Sequence, residues 1–229
     1  MSNLEINKLI VELTAHFKRF AVPEDAPAMK KYMKNRFEFL GLKKDIREAA
    51  TKSFWAINKL PEDEDLKALV KAIWQQPYRE LHYMALQLLV KPIKKADESW
   101  IELLEFLIVN QSWWDSVDIV AAKLIGAYLK KHKNINAIYP NNWIASDNMW
   151  LRRTAILYQL KYKEKTDTDR LFDYILQTAQ EKEFFIQKAQ GWSLREYAKT
   201  DMQAVVDFVK SNKEKLSNLT KKEALKHCK

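Results

Sequence analysis

From residue 76 onward the chain repeats itself, and this repeat limits what it can fold into more than any other feature. Segments 76–86, 111–121, 146–156 and 180–190 each open a helix of similar length, at steps of 35, 35 and 34 residues. Shorter apolar helices are expected between and after them, over 98–109, 134–144 (interrupted by Pro140), 167–179 and 201–211. Leu103, Ile138, Phe172 and Val206 recur at the matching step. A two-helix unit at this period is the signature of a helical solenoid, in which one unit cannot bury its own apolar face and stacking makes the core. Such stacks curve, so one helix of each pair lines a concave surface. With only 3 glycines and 6 prolines the chain is too poor in turn residues for an all-β fold. The expected class is all-α, a HEAT-like helical-repeat superhelix forming one domain over residues 1–229.

Upstream of the repeat, Leu4, Ile6, Leu9, Ile10, Leu13 and Phe17 follow helical spacing up to Pro23. A second helix is expected from Asp25–Pro27 to Gly41, a glycine placed to end it. Three more are expected over about 44–58, 63–76 and 78–90, stopped in turn by Pro61, Pro77 and Pro92.

The repeat places Tyr83, Asp118, Arg153 and Gln187 at equivalent positions, so they should project in a row into the concavity. Arg152, Lys188, Trp192 and Arg195 lie close by in the sequence. Within the stretch 112–118, Ser-Trp-Trp-Asp-Ser-Val-Asp, Ser112 is suited to cap a helix. Trp114 and Asp118 then stand at i and i+4 on one face. Two readings remain open at this point. Trp114 packs inward while Asp118 and Arg153 form a ladder that fixes the stacking, or carboxylate, indole and guanidinium together build a cleft.

Other chemistries lack their residues. Three glycines at 41, 126 and 191 cannot make a phosphate loop, and no nucleophile elbow occurs. His16, His82, His132 and His227 show no ligand spacing, and Cys228 is alone, so neither a zinc site nor an internal disulfide is expected. An enzyme of this sequence would work without metal or organic cofactor. The first residues show no signal pattern and no run nears 18 apolar residues, so the chain reads as cytoplasmic, with no membrane association. A net charge of +9 makes a polyanion a plausible partner. The basic C-terminal run (Lys210, Lys213, Lys215, Lys221, Lys222, Lys226, Lys229) reads as a frayed, solvated helix, or else as a phosphate-facing end of the groove.

Four stretches together carry a resemblance. They are 32–41 (Tyr-Met-Lys-Asn-Arg-Phe-Glu-Phe-Leu-Gly), 112–118, 143–153 (Trp-Ile-Ala-Ser-Asp-Asn-Met-Trp-Leu-Arg-Arg), and 183–199, which holds Glu-Phe-Phe-Ile-Gln-Lys-Ala and Gly-Trp-Ser-Leu-Arg-Glu-Tyr-Ala-Lys. They closely resemble the bacterial AlkD-type DNA alkylation-repair glycosylases, in order and over nearly the whole chain. The resemblance implies a superhelix whose concave face holds duplex DNA, and the chain is expected to be a monomer. It implies removal of positively charged N3- and N7-alkylated purines by cleavage of the N-glycosidic bond. It also implies a cleft of Trp114, Trp192 and Asp118 as the catalytic residues, with Arg153, Arg195 and Tyr32 against the DNA. Arg152 and Lys188 near the cleft, and Lys30, Lys31, Lys34 and the 221–226 region, are candidates for a phosphate-contacting rim. The alternative is a non-catalytic HEAT-like nucleic-acid-binding protein using the same basic groove. A protein-interaction solenoid would instead call for an apolar groove.

Overall fold

Ser2 opens the first helix with a capping box: its hydroxyl accepts from the Glu5 amide while the Glu5 side chain returns to the Ser2 amide. That helix, α1 (Asn3–Lys18), buries Ile6, Ile10, Leu13 and Phe17, spaced one turn apart as the sequence requires. The computed structural model describes residues 1–228; Lys229, the last of the basic run, lies outside them. All regular structure among the described residues is helical, apart from one isolated bridge between Glu38 and Tyr78. The protein has an all-α, HEAT-like helical-repeat fold. Its helices group into two compact units, Met1–Leu89 and Val90–Lys229.

In the first unit α1 packs against α3 (Lys44–Ile57) and α4 (Asp63–Trp74), and α5 (Arg79–Leu89) packs against both of these. The second helix, α2 (Ala26–Tyr32), is shorter than its apolar spacing predicts. Instead of continuing to Gly41, the chain turns out at Lys34 and Asn35, both at φ 56°. It then runs irregularly through residues that Glu80 captures. One oxygen of this buried carboxylate accepts from the amides of Leu40, Gly41 and Leu42 at 3.0, 2.9 and 3.1 Å. Three donors on one charged acceptor outweigh the few helical bonds this stretch would otherwise make. Gly41 is therefore no helix cap. Its φ is 83°, and a Cβ there would fall 1.9 Å from the Val22 carbonyl oxygen.

The second unit carries the period. Counting α5, one helix of each successive repeat begins at Arg79, Trp114, Met149 and Phe184, a step of 35 residues each time. The three in this unit are α7 (Trp114–Ile119), α10 (Met149–Leu157) and α12 (Phe184–Tyr197). Their partners are α6 (Trp100–Val109), α9 (Lys133–Ile144), α11 (Thr168–Gln177) and α13 (Met202–Ser211), with α14 (Asn218–Ala224) after them. Helix α7 runs on through a π-helical segment, Val120–Ile125, into α8 (Gly126–Lys131). Pro140 sits inside α9 and the helix continues past it. The period is right for the helix starts but slips for the partner helices, since Leu103 is buried whereas Ile138 is 56% exposed. At the centre α10 packs against α6, α7, α9, α11 and α12.

Candidate active-site cleft

Asn148 starts α10 by accepting the amides of Trp150 and Leu151 on its side-chain oxygen, which fixes the phase of the helix. Arg153, one turn in, is thereby aimed at α7. Its Nε and Nη2 donate to the two carboxylate oxygens of Asp118 at 2.8 and 3.0 Å, a fork-on-fork pair spanning 35 residues. Its Nη1 donates to the Phe185 carbonyl at the start of α12. The Arg153 side chain is only 5% exposed and that of Asp118 15%. Ser112 does not cap α7 as its position suggests. Its hydroxyl turns back to the Ile108 carbonyl of α6 at 2.5 Å, and Trp113 occupies the cap position.

The ladder and the cleft, alternatives in the sequence, are both present. Asp118 and Arg153 line a cleft of about 270 Å³ with Trp114, Phe184, Phe185, Lys188, Trp192, Arg195 and Glu223. Trp114 and Trp192 are half-buried, so each keeps exposed indole surface rather than packing inward. An aromatic cluster of Trp113, Trp150 and Phe185, with ring centroids 5.1–5.8 Å apart, adjoins the Phe185 wall. Burial pushes the Asp118 carboxyl above its ordinary value, and the hydrogen bonds and charge of Arg153 oppose that rise without cancelling it. Desolvation is thus the stronger influence on this group.

Of the residues expected at the site, Asp118, Trp114, Trp192, Arg153, Arg195 and Lys188 meet in this cleft. Arg152 does not line it: its guanidinium grips Glu181 with two bonds of 2.9 Å and reaches the Ser146 carbonyl at 2.7 Å. Gln187 also falls outside, with its amide bonded to the Glu181 carbonyl, and the next residue, Lys188, takes the place in the lining. Tyr32, Lys34 and Tyr83 belong to the first unit. There Tyr32 and Tyr83 border a hollow of about 380 Å³ with Met29, Met33 and Phe39, and Lys34 is exposed at the turn after α2.

Three lining residues were not singled out from the sequence. Phe184 opens α12 two repeats after Trp114 opens α7, a signal already present in the period. Phe185 follows it. Glu223 comes from α14, where its carboxylate bridges Lys188 at 2.8 Å and Arg195. The hydrogen bond from Lys188, then that from Arg195, holds its carboxyl below the usual range. Among the described residues no group of three or more His, Cys, Asp or Glu side chains is placed to hold a metal ion. No helix among them is long and apolar enough to cross a membrane.

Comparison with known proteins bears on the family. The family model described as DNA alkylation repair enzyme matches residues 13–228. A search of curated proteins returns no match. Among solved structures the chain is similar to one described as a predicted DNA alkylation repair enzyme from Enterococcus faecalis, with 33% sequence identity and a TM-score of 0.83. The alignment covers 90% of this chain and 96% of that one. With a half-buried carboxylate, two indoles and a set of cations in one cleft, and a family match over nearly its whole length, the chain belongs to the DNA alkylation repair enzyme family.

Proposed function

We propose that the protein is a DNA glycosylase that releases positively charged N3- or N7-alkylated purines from duplex DNA by hydrolysing the N-glycosidic bond. The observation that carries this reading is Asp118, a desolvated carboxylate clamped by Arg153 and lining one cleft with Trp114 and Trp192. Alkylation at N3 or N7 leaves a cationic purine that departs with the bonding pair as a neutral base, so no general acid is required. The sugar is left with oxocarbenium character at C1′, the same problem glycosidases meet with carboxylates. Asp118 stabilises that charge and orients a water, whose oxygen bonds to C1′ and whose proton passes to the carboxylate or solvent. Arg153 holds the carboxylate in one rotamer, and each oxygen keeps a further acceptor lobe for water. Trp114 and Trp192 offer π faces to the cationic nucleotide and exclude bulk water, which strengthens the field of Asp118. Lys188 and Arg195 suit the DNA backbone phosphates. The protein acts as a monomer on this substrate.

One observation favours a second reading. The Asp118–Arg153 pair ties successive repeats, so the carboxylate could serve only as a strut in a non-catalytic nucleic-acid binder. Melting temperature does not separate the two, because Asp118→Asn strips a buried guanidinium of its counter-charge under either reading. Base release does. Duplex DNA bearing 7-methylguanine, incubated with the wild-type protein, should yield free base, and Asp118→Asn should slow that release about 10²-fold. Release that continues at the wild-type rate in the variant leaves the strut as the only role.

A further inference from the structure

Glu223 is an unexpected occupant of a cleft meant for DNA. A carboxylate beside a phosphate-binding surface opposes binding, yet here it lies between the two cations best suited to meet a phosphate. Its Oε1 accepts from Lys188 Nζ at 2.8 Å, and its Oε2 accepts from Arg195 Nη1. Its side chain is only 16% exposed.

The placement is built into the packing. Gly191 stands where α12 meets α14, and a Cβ there would fall 2.4 Å from the Glu223 Cβ and 3.0 Å from the Thr220 carbonyl oxygen. Only a missing side chain allows this approach. Thr220, fully buried and one turn before Glu223, donates to Gln190 Oε1 at 2.8 Å, and Gln190 donates to the Thr178 carbonyl at 2.8 Å. The helix is therefore anchored in the core, not frayed, and Glu223 is held at the cleft by that anchor. The charged groups facing the cleft are Asp118 on α7, Arg153 on α10, Lys188 and Arg195 on α12, and Glu223 on α14. Asp118 and Arg153 satisfy each other. Glu223 thus stands against the two cations that remain.

We infer that Glu223 is an internal phosphate surrogate, a positioning residue that holds Lys188 and Arg195 together in the free protein and that a backbone phosphate of the duplex displaces. A carboxylate and a phosphate both offer paired anionic oxygens to such donors. With Glu223 in place, the two long side chains are ordered before DNA arrives, and a phosphate must compete for them. The surrogate therefore trades affinity for geometry. This inference rests on the reading of the cleft as a phosphate-binding site, and the test separates the two.

The experiment measures affinity for an undamaged duplex across salt concentrations, together with single-turnover release of 7-methylguanine at saturating protein. Glu223→Gln should tighten duplex binding roughly tenfold at low salt and steepen the log–log salt slope by about 0.9, since one more cation is free to displace counterions. Release should nevertheless slow about threefold. Tighter binding with slower chemistry is a split that a merely structural role does not produce. Glu223→Ala keeps the Cβ packed against Gly191 and should behave alike, so either variant suffices if the other does not fold. In a Lys188→Gln/Arg195→Gln background the affinity gain should vanish. Unchanged affinity and slope in the Glu223 variants, or weaker binding in step with a lower melting temperature, overturns the inference. If the Lys188→Gln/Arg195→Gln protein binds duplex as tightly as the wild type, the phosphate reading of the cleft falls and the surrogate with it.

Discussion

Each unit of the protein contains a desolvated carboxylate near the start of a helix, and the two are used in opposite ways. Glu80, on α5 of the first unit, is fully buried and has one oxygen filled by three backbone amides. Beside it Arg79 lies 3.9 Å from the Phe37 ring centroid and meets His82 at 3.1 Å, so the whole cluster is turned inward on the 33–43 loop. Asp118, on α7 of the second unit, is held by one side chain and borders a cleft. Desolvation raises both above their ordinary carboxylate values. A perturbed carboxylate therefore does not by itself mark a site. What separates them is the kind of partner, backbone in one case and a charged side chain beside open space in the other.

The largest expected effect breaks that comparison most directly. Asp118→Asn should lower 7-methylguanine release about 10²-fold, whereas Glu80→Ala should leave the release rate of folded, saturating protein unchanged. The Glu80 change should instead lower unfolding stability by about 3–5 kcal/mol, since it orphans three buried amides. Denaturant melts and release assays on the two variants check this, and a large release defect in folded Glu80→Ala would dissolve the distinction.

Next comes Arg153→Met, which leaves Asp118 in place without its clamp. Asp118 must be ionised to act, so release should rise with pH through its folded pKa, which lies above the usual carboxylate value. Losing Arg153 removes the influence that lowers this pKa. The acid limb of the rate profile should therefore move to higher pH, with a loss of rate that is largest on the acid side. Stability runs the other way in the wild type. The folded state holds this proton to higher pH than the unfolded chain does, so the contribution of Asp118 is full below the unfolded pKa and declines as pH rises through the folded one. Rate profiles and melts over the same pH range should show opposite slopes there.

Smaller again are Trp114→Ala and Trp192→Ala, each expected to cost roughly three- to thirtyfold in release, in line with one indole–cation contact. Asp115→Asn should change release by less than about twofold, because Asp115 does not line the cleft and its charge has only a lesser influence on Asp118. If Asp115 mattered as much as Asp118, net negative charge rather than a positioned carboxylate would be the active feature.

Much of this site could be read from the sequence because repeat proteins turn spacing into position. A 35-residue step is enough to bring Asp118 against Arg153, and the structure places them in a two-bond pair. Gln187 was expected where Lys188 stands because the last step reads as 34 residues in the sequence, whereas the helix starts keep 35 throughout, which leads from Arg153 to Lys188. Local pattern also misled at 33–41, where Met33 and Phe37 continue the helical spacing of Met29 and Tyr32 beyond the end of α2. Glu80, some forty residues on, captures that backbone, and no short window of sequence contains both partners. Glu223 was hidden for the opposite reason. Surrounded by lysines it reads as one charge on a solvated helix, and only the absent side chain of Gly191 and the buried hydroxyl of Thr220 show which face of α14 turns inward.

The π-helical segment Val120–Ile125 gives the site a further property. A π turn holds one residue more than an α turn, so it acts as an angular offset within an otherwise continuous rod. On one side of it stand Trp114 and Asp118. On the other, Tyr128 is anchored to the Glu98 carbonyl at 2.9 Å, and Lys131 and His132 both donate to that of Ala96 at 2.9 Å. Removing one residue from the segment would restore plain α geometry and turn the two ends about 100° relative to each other. The anchors and the carboxylate could then no longer both face their partners. The bearing of Asp118 on its cleft is thus set by a single surplus residue in the backbone, and a one-residue deletion would rotate the carboxylate away from Arg153 without altering either side chain.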